Sequence, residues 1–185
     1  MNETEQNLYN SRPEFKAPKF KIIKYGDPIL NQKSKKIEKV DDEIKFLAED
    51  MLKWTKETGI GYGLAAVQIG KPIQLIVLHI ENETIILINP EILEREGSDT
   101  VEEGCLSIPY AYTAVPRAYT IKVKSLDYDA QEVTREFSGL KAKAIQHEVD
   151  HLNGILMIDI VSPLKRKLLK KRIQTIKKRG QWDNW

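Results

Sequence analysis

Two histidines and a glutamate lie in the run Gln146-His147-Glu148-Val149-Asp150-His151-Leu152-Asn153-Gly154, which contains the pattern H-E-x-x-H. On an α-helix, about 100° per residue places His147 and His151 about 40° apart and one turn along the axis. Both imidazoles can then reach one ion at about 2.0–2.1 Å. Glu148 is displaced beside them, where a carboxylate holds a water on the ion instead of ligating. The chain has three histidines, and two of them stand at this ligand spacing.

A catalytic site of this kind needs a third ligand and one open position. The candidates are Cys105, His79 and the carboxylates. His79 falls in an apolar, β-branched run and is read as occupying the polar face of a strand, with no role. Cys105, the one cysteine of the chain, lies in Glu102-Glu103-Gly104-Cys105-Leu106-Ser107. Gly104 there permits a tight backbone approach. A thiol standing alone is commonly a buried core group, so the residue types by themselves leave the third ligand open.

These residues must be positioned by a fold, and 185 residues are enough for one domain with a substantial core. The 41% apolar and 30% charged residues give an ordinary soluble composition and exclude disorder of the whole chain. A net charge of +2 is too small to mark a nucleic-acid binder by itself. A single cysteine excludes an internal disulfide framework and suits a reducing cytosol. The N-terminal MNETEQNLYNSRPEF has no apolar stretch of signal-peptide length, and no window reaches the roughly 18 apolar residues of a membrane span. The expected location is the cytoplasm, with no membrane partner.

Residues 1–19 read as a loose polar arm. The segment FKIIKYGDPILNQKSKKI joins a short strand to the turn Gly26-Asp27-Pro28. A helix begins at Asp41 or Asp42, carries Ile44, Leu47, Ala48, Met51 and Leu52 on one face, and ends at Gly59 and Gly61. The runs 73–80 and 84–89 are β-branched strands, and 119–127 with 130–137 alternate in polarity as hairpin strands do. Helical character returns near Leu140 and stops at Gly154. A last helix opens with Ser162 as cap and Pro163 at its first position, with the apolar stripe Leu164, Leu168, Leu169, Ile173 and Ile176. This order predicts one α+β domain over 20–179, with a tail at 180–185.

Three segments together resemble the peptide deformylase family. Gly61-Tyr62-Gly63-Leu64-Ala65-Ala66-Val67-Gln68-Ile69-Gly70 is similar to the family's G-x-G-L-A-A-x-Q motif. Glu103-Gly104-Cys105-Leu106-Ser107 matches E-G-C-L-S, and Gln146 to Gly154 matches Q-H-E-x-D-H-L-x-G. The similarity extends through Asp27-Pro28, Asn89-Pro90 and Val115-Pro116-Arg117-Ala118, over about residues 20 to 175. The resemblance implies antiparallel β-sheets packed around a central metal-binding helix, with a C-terminal amphipathic helix. It implies Cys105, His147 and His151 as metal ligands and Glu148 as general acid/base. It implies Gln68 and the Leu106 N–H as oxyanion donors, Gly63 and Tyr62 at the substrate, and Glu103 with Arg117 as a supporting pair. The implied reaction is hydrolysis of the N-formyl group from the starting methionine of new polypeptides, releasing formate.

That chemistry accounts for the residue types. A formamide is stable near neutral pH, so its hydrolysis needs an activated water and a protonated leaving amine. A divalent ion supplies Lewis acidity, and Glu148 can move the proton. Each oxyanion donor is typically worth about 2.7–4 kcal/mol in the transition state. Cys-His-His suits Zn(II), Fe(II), Ni(II) or Co(II), and the resemblance implies Fe(II) as the native ion. Three positions depart from the family pattern: Tyr62 replaces an aliphatic residue, Lys143 replaces an apolar one a turn before His147, and Asn31 replaces the arginine often found after the Asp-Pro turn. Lys143 can pack its stem while its ammonium reaches water. Nine basic residues of the last helix and its end (Lys165, Arg166, Lys167, Lys170, Lys171, Arg172, Lys177, Lys178 and Arg179) are either a solvated face or, as the family implies, a contact with ribosomal RNA. The competing functions are a zincin-type metalloprotease, which has no need of Gly63, Gln68 and Cys105, and a non-catalytic module with a closed structural metal.

Overall fold

The computed structural model describes residues 20–59 and 61–182, so the expected arm and residues 183–185 of the expected tail lie outside the described residues. The short strand expected ahead of the Gly26 turn does not form. Ile23 N–H donates instead to Gln68 O (2.7 Å), and Tyr25 N–H to Ser107 O (2.8 Å). Gln68 lies in a 3-10 turn (Ala66–Ile69) and Ser107 in a separate turn, so the segment stays extended but joins no ladder. The Asp27 side chain then caps a single 3-10 turn, Pro28–Asn31, by accepting from Ile29 N–H.

Helix α1 spans Asp42–Thr58. Asp41 accepts from Ile44 N–H at 3.2 Å, and Gly59, at φ 60, closes the last turn in the left-handed region. Ala48, Met51, Trp54 and Thr55 are buried, whereas Ile44, Leu47 and Leu52 of the expected face are only half-buried.

Five strands form one antiparallel sheet in the order β1-β2-β3-β6-β7: β1 (Gly63–Ala65), β2 (Leu75–Ile80), β3 (Glu83–Glu96), β6 (Thr120–Leu126) and β7 (Glu132–Ser138). Strand β3 runs beyond the expected end at residue 89. Pro90 has no N–H to give, and the ladder to β6 passes from Ile88 to Glu91 with Asn89 at φ 52. The chain absorbs the proline in a bulge and resumes pairing. Strands β4 (Asp99–Cys105) and β5 (Ile108–Arg117) form a separate two-stranded sheet that the sequence did not announce. Glu102, Glu103 and Gly104 interrupt the alternation that marks a strand, and cross-strand pairing decides the matter instead.

The large sheet is covered on both faces. Leu75 and Val77 of β2 pack with Ala48, Met51 and Trp54 of α1, while Ile76 and Leu78 pack with Ile145, Val149 and Leu152 of helix α2 (Gly139–Leu152). The period of two thus sends alternate β2 residues into two apolar clusters. Helix α2 ends at Asn153 and Gly154. A Cβ at Gly154 would lie 2.6 Å from Asn31 O, and φ there is +72.

After the single turn α3 (Met157–Ile160), helix α4 spans Pro163–Lys178, capped by Ser162 with Pro163 in its first turn. Its buried residues are Leu169, Ile173 and Ile176; Leu164 and Leu168 of the expected stripe are 68% and 59% exposed. Leu168 lies about 100° round the helix from Leu169, beyond the width that the small sheet covers. The fold is the expected single α+β domain, with antiparallel sheets around α2 and an amphipathic helix at the C-terminal end. Among the described residues, no helix is long and apolar enough to cross a membrane.

Candidate metal centre

Helix α2 brings the His147 and His151 rings together, with centroids 5.0 Å apart and planes at 80°. Cys105, the last residue of β4, approaches from the opposite side, with Sγ 3.2 Å from His151 Nε2. One ligand atom from each of Cys105, His147 and His151 lies within 4.8 Å of the other two. Ligand atoms around a tetrahedral ion stand about 3.5 Å apart, so a small closure would bring the three onto one ion. His79 does not join them; it lies on β2 and bonds through its backbone to Tyr62 O.

Two orphaned polar atoms support the same reading. His151 Nδ1 and Glu148 Oε2 are buried without a hydrogen-bond partner. A buried carboxylate oxygen left unpaired is costly, and an ion with its water would satisfy it. The group opens on one side to a cavity of about 510 Å³, lined in part by Gly63, Gln68, Leu106, Leu140 and Ala144. The donor set therefore fits a single metal ion with room for a further ligand.

His147 is oriented by a chain of charges. Its Nδ1 is 2.9 Å from Glu103 Oε2. The Glu103 carboxylate accepts two bonds from Arg117, from Nε at 2.7 Å and from NH2 at 3.0 Å. Arg117 also donates to Asp150, the neighbour of His151. With Nδ1–H given to a carboxylate, His147 turns its Nε2 lone pair inward. Gln146 fastens the frame: its Oε1 accepts from Ala118 N–H (3.0 Å), and its Nε2 donates to Ala118 O (2.9 Å) and Ala142 O (3.0 Å). Sequence reasoning assigned no role to Asp150 or to Gln146. The signal available was their place on α2 flanking the histidines.

Electrostatics follow from burial against close partners. Burial alone would raise the Cys105 thiol, but His151 and His147 outweigh it and hold the thiol well below its usual value. Burial likewise opposes charge on His147, yet Cys105 and Glu103 hold its imidazole well above the usual range. The ion-free pocket thus favours a thiolate–imidazolium pair, in which a bound cation replaces the imidazole proton. Burial favours neutral Glu103, but His147 and Arg117 prevail and lower it to about 2. At Glu148 burial prevails over both histidines and raises the carboxyl, the direction that suits a proton carrier.

The remaining candidates surround the cavity. Gln68 is buried; its Oε1 accepts from Ala65 N–H at 2.9 Å, and its Nε2 points toward Ser107 Oγ (3.3 Å) and Cys105 Sγ (3.8 Å). Ser107, whose role sequence reasoning missed, therefore fixes which way that amide faces. Leu106 follows Cys105 on the cavity wall. Gly63 pairs with Leu78 on edge strand β1, while the bond to β2 is made by Tyr62 O. By the alternation of an antiparallel ladder, the Gly63 N–H and C=O face the open edge. Tyr62 is 55% exposed on the cavity rim. Gly104 lies under a ring, since a Cβ there would meet Tyr112 Cε1 at 2.7 Å. The Lys143 ammonium does not extend into water as expected. It pairs with Asp99 of β4 and lies 5.9 Å from the Tyr119 ring centroid.

Comparison with known proteins agrees with this geometry. Residues 19–167 match the profile of the Polypeptide deformylase family. The chain is similar to the peptide deformylase of Alkalilimnicola ehrlichii, 42% identical over 86% of this chain and 92% of that one. It is also similar to the peptide deformylase of Mesorhizobium japonicum, 47% identical over 85% of this chain and 92% of that one. Among solved structures, a peptide deformylase from Legionella pneumophila superposes with a TM-score of 0.80 at 38% identity, covering 86% of this chain and 96% of that one. The profile match spans the sheets and α2, the two relatives align over 85–86% of this chain and 92% of their own, and the fold is shared. The chain therefore belongs to the peptide deformylase family and is a metallo-hydrolase that removes the N-formyl group from newly made polypeptides.

Proposed function

We propose that Cys105, His147 and His151 hold the ion and that Glu148 is the general acid/base of formyl hydrolysis. The convergence of one thiol and two imidazoles beside a buried carboxylate with one unpartnered oxygen carries this reading. A divalent ion supplies Lewis acidity there, acidifying water and polarising a carbonyl. Glu148 takes the proton from the attacking water and passes it to the departing α-amine. The raised carboxyl makes Glu148 a stronger base for the first of these transfers than an ordinary glutamate. The Gln68 amide and the Leu106 N–H stabilise the oxyanion, with the amide's orientation fixed by Ala65 and Ser107. The free edge of β1 at Gly63 pairs with the substrate main chain, and Tyr62 flanks it on the rim. The substrate is an N-formyl-methionyl peptide, whose side chain packs against Leu140 and Ala144.

Fe(II) is the proposed native ion, held by a thiolate softer than a third imidazole. Zn(II), Ni(II) or Co(II) suit the same donors. Cys105 and the iron are then the points of attack for oxygen, so purification without oxygen should preserve activity that aeration destroys. The test of the reaction is turnover of formyl-Met-Ala-Ser against cleavage of an internal peptide bond. Formate release alone supports the proposal; cleavage of the internal bond alone favours a zincin-type protease.

The chain acts in the cytoplasm, and its basic helix α4 docks on ribosomal RNA. The support is the row of lysines and arginines on a helix whose Leu164 and Leu168 face outward. Removing residues 165–185 should weaken ribosome binding, and binding by the full chain should fall with salt. Unchanged binding after that truncation would count against it.

A further inference from the structure

We infer that the segment Ile23–Tyr25 is a brace that sets the two proposed oxyanion donors against each other, with Lys24 as its positioning residue. The inference rests on the roles proposed for Gln68 and Leu106. Those residues stand on separate turns, Gln68 on the 3-10 turn Ala66–Ile69 that follows edge strand β1 of the large sheet and Leu106 on the turn that follows β4 of the small sheet. Three bonds from a single extended segment join them: Ile23 N–H to Gln68 O (2.7 Å), Tyr25 N–H to Ser107 O (2.8 Å) and Lys24 Nζ to Leu106 O (3.1 Å).

An extended chain turns the N–H groups of residues i and i+2 to the same edge, about 6.6 Å apart. The brace is therefore a ruler that fixes the separation of the Gln68 and Ser107 carbonyls. Its own position is set by packing. Ile22 is buried in the cluster beneath α1, whereas Ile23 and Tyr25 pack against the cluster beneath α2. The segment is thus anchored in both halves of the core, and it spans the seam across which the donors must meet. Gln68 Nε2 to Ser107 Oγ, at 3.3 Å, is the side-chain bond across the same seam.

Lys24 acts at the point where the ruler alone gives no control. The Leu106 carbonyl and the Leu106 N–H share one Cα, so the ammonium that holds the carbonyl limits rotation of the residue whose N–H points at the reaction. A half-buried lysine bonded to a backbone oxygen keeps the donor aimed before substrate arrives, which is where electrostatic catalysis draws its strength. The effect belongs to the transition state, in which the oxyanion forms, and not to ground-state binding.

The test compares Lys24→Met, Lys24→Gln and Lys24→Arg with Gln68→Ala in the metal-loaded full chain, reading kcat, KM, ion content and Tm. Lys24→Met should lower kcat about tenfold with KM within about twofold, since small displacements of a donor act on the reacting geometry. One ion per chain and a Tm near the parent's should remain. Lys24→Arg should recover most of the loss, and Lys24→Gln, a neutral donor, should fall between. Gln68→Ala should cost about a hundredfold in kcat. If Lys24→Met and Lys24→Gln turn over like the parent while Gln68→Ala is impaired, the brace is refuted and the oxyanion reading stands. If Gln68→Ala turns over like the parent, the reading beneath the brace fails with it. Loss of the ion, loss of folding or failure of arginine to rescue would make Lys24 a structural residue only and overturn the inference.

Discussion

Gly63→Ala perturbs the proposed general acid/base without touching it chemically. A Cβ built on Gly63 would stand 2.8 Å from Glu148 Oε1, 3.0 Å from its Cγ and 3.1 Å from its Cδ. Ordinary contacts of carbon lie near 3.5 Å, so the carboxyl must retreat by about 0.5 Å. Glu148 is only 5% exposed, so the carboxyl retreats against packed neighbours or into the cavity it lines, and either way leaves its place. Alanine itself brings no backbone strain, since Gly63 is not among the glycines at positive φ. A misplacement of 1 Å in a reacting group can cost a hundredfold, so kcat should fall about 10- to 100-fold, or about 1.4–2.7 kcal/mol. The overpacking should lower stability by about 1–2 kcal/mol. The residue 63 N–H and C=O survive, so KM should change little, and the ion should remain. Steady-state turnover of formyl-Met-Ala-Ser with parallel metal analysis decides the point. A parent-like kcat would refute the placement of Glu148 at the reaction. A rise in KM alone would mean that position 63 acts only through the substrate main chain.

Glu148→Gln should abolish turnover and keep the ion. Burial raises the folded-state value of Glu148, so its contribution to folding is full below its unfolded value and lost as pH rises through the folded one. In ion-free protein the variant should therefore be more stable than the parent at about pH 7, with the difference gone by about pH 4, as denaturant midpoints would report. Normal turnover would overturn the role given to this residue. Glu103 has the opposite sign: its folded value of about 2 lies below the ordinary glutamate value of 4.5, so its stabilisation is present above 4.5 and disappears as pH falls toward about 2. Glu103→Gln should also weaken metal binding about 10- to 100-fold in competition with a chelator, by freeing His147 from its orienting carboxylate; unchanged affinity would show that the charge chain is idle. Gly154→Ala should cost about 2–4 kcal/mol by urea denaturation, because its Cβ meets the Asn31 backbone in a left-handed conformation, while turnover per folded molecule stays near the parent's. A parent-like midpoint would contradict the close approach.

The helices were legible because their rules are local. Asp41 and Ser162 cap, Gly59 terminates, and the histidine spacing follows from the helical period alone. Strand pairing is not local, and there the reading failed in instructive places. Strand β3 continues through Pro90 because a bulge absorbs the missing N–H, which no inspection of residues 84–89 reveals. Strand β4 carries Cys105 despite Glu102 and Glu103, since Glu103 is bonded to Arg117 and His147, which approach from distant parts of the chain. The short strand expected ahead of Gly26 became a brace because its backbone partners, on the separate turns of Gln68 and Ser107, do not form a ladder. Leu164 and Leu168 satisfied helical periodicity but not contact, because the small sheet covers only part of α4. The grouping of Cys105 with His147 and His151 came from the resemblance of their motifs, since the residue types alone left the third member open, whereas the chain from Asp150 to His147 required coordinates.

The central claim is that one sulfur and two imidazoles share an ion with a place left for water. X-ray absorption at the metal edge of the Zn(II)-substituted protein measures this directly. The account predicts one sulfur at about 2.3 Å, two imidazole nitrogens at about 2.0–2.1 Å and a light atom exchangeable for an added small ligand. Cys105→Ala should remove the sulfur signal together with most of the bound metal. A first shell without sulfur, or four protein ligands that no added ligand displaces, would contradict it.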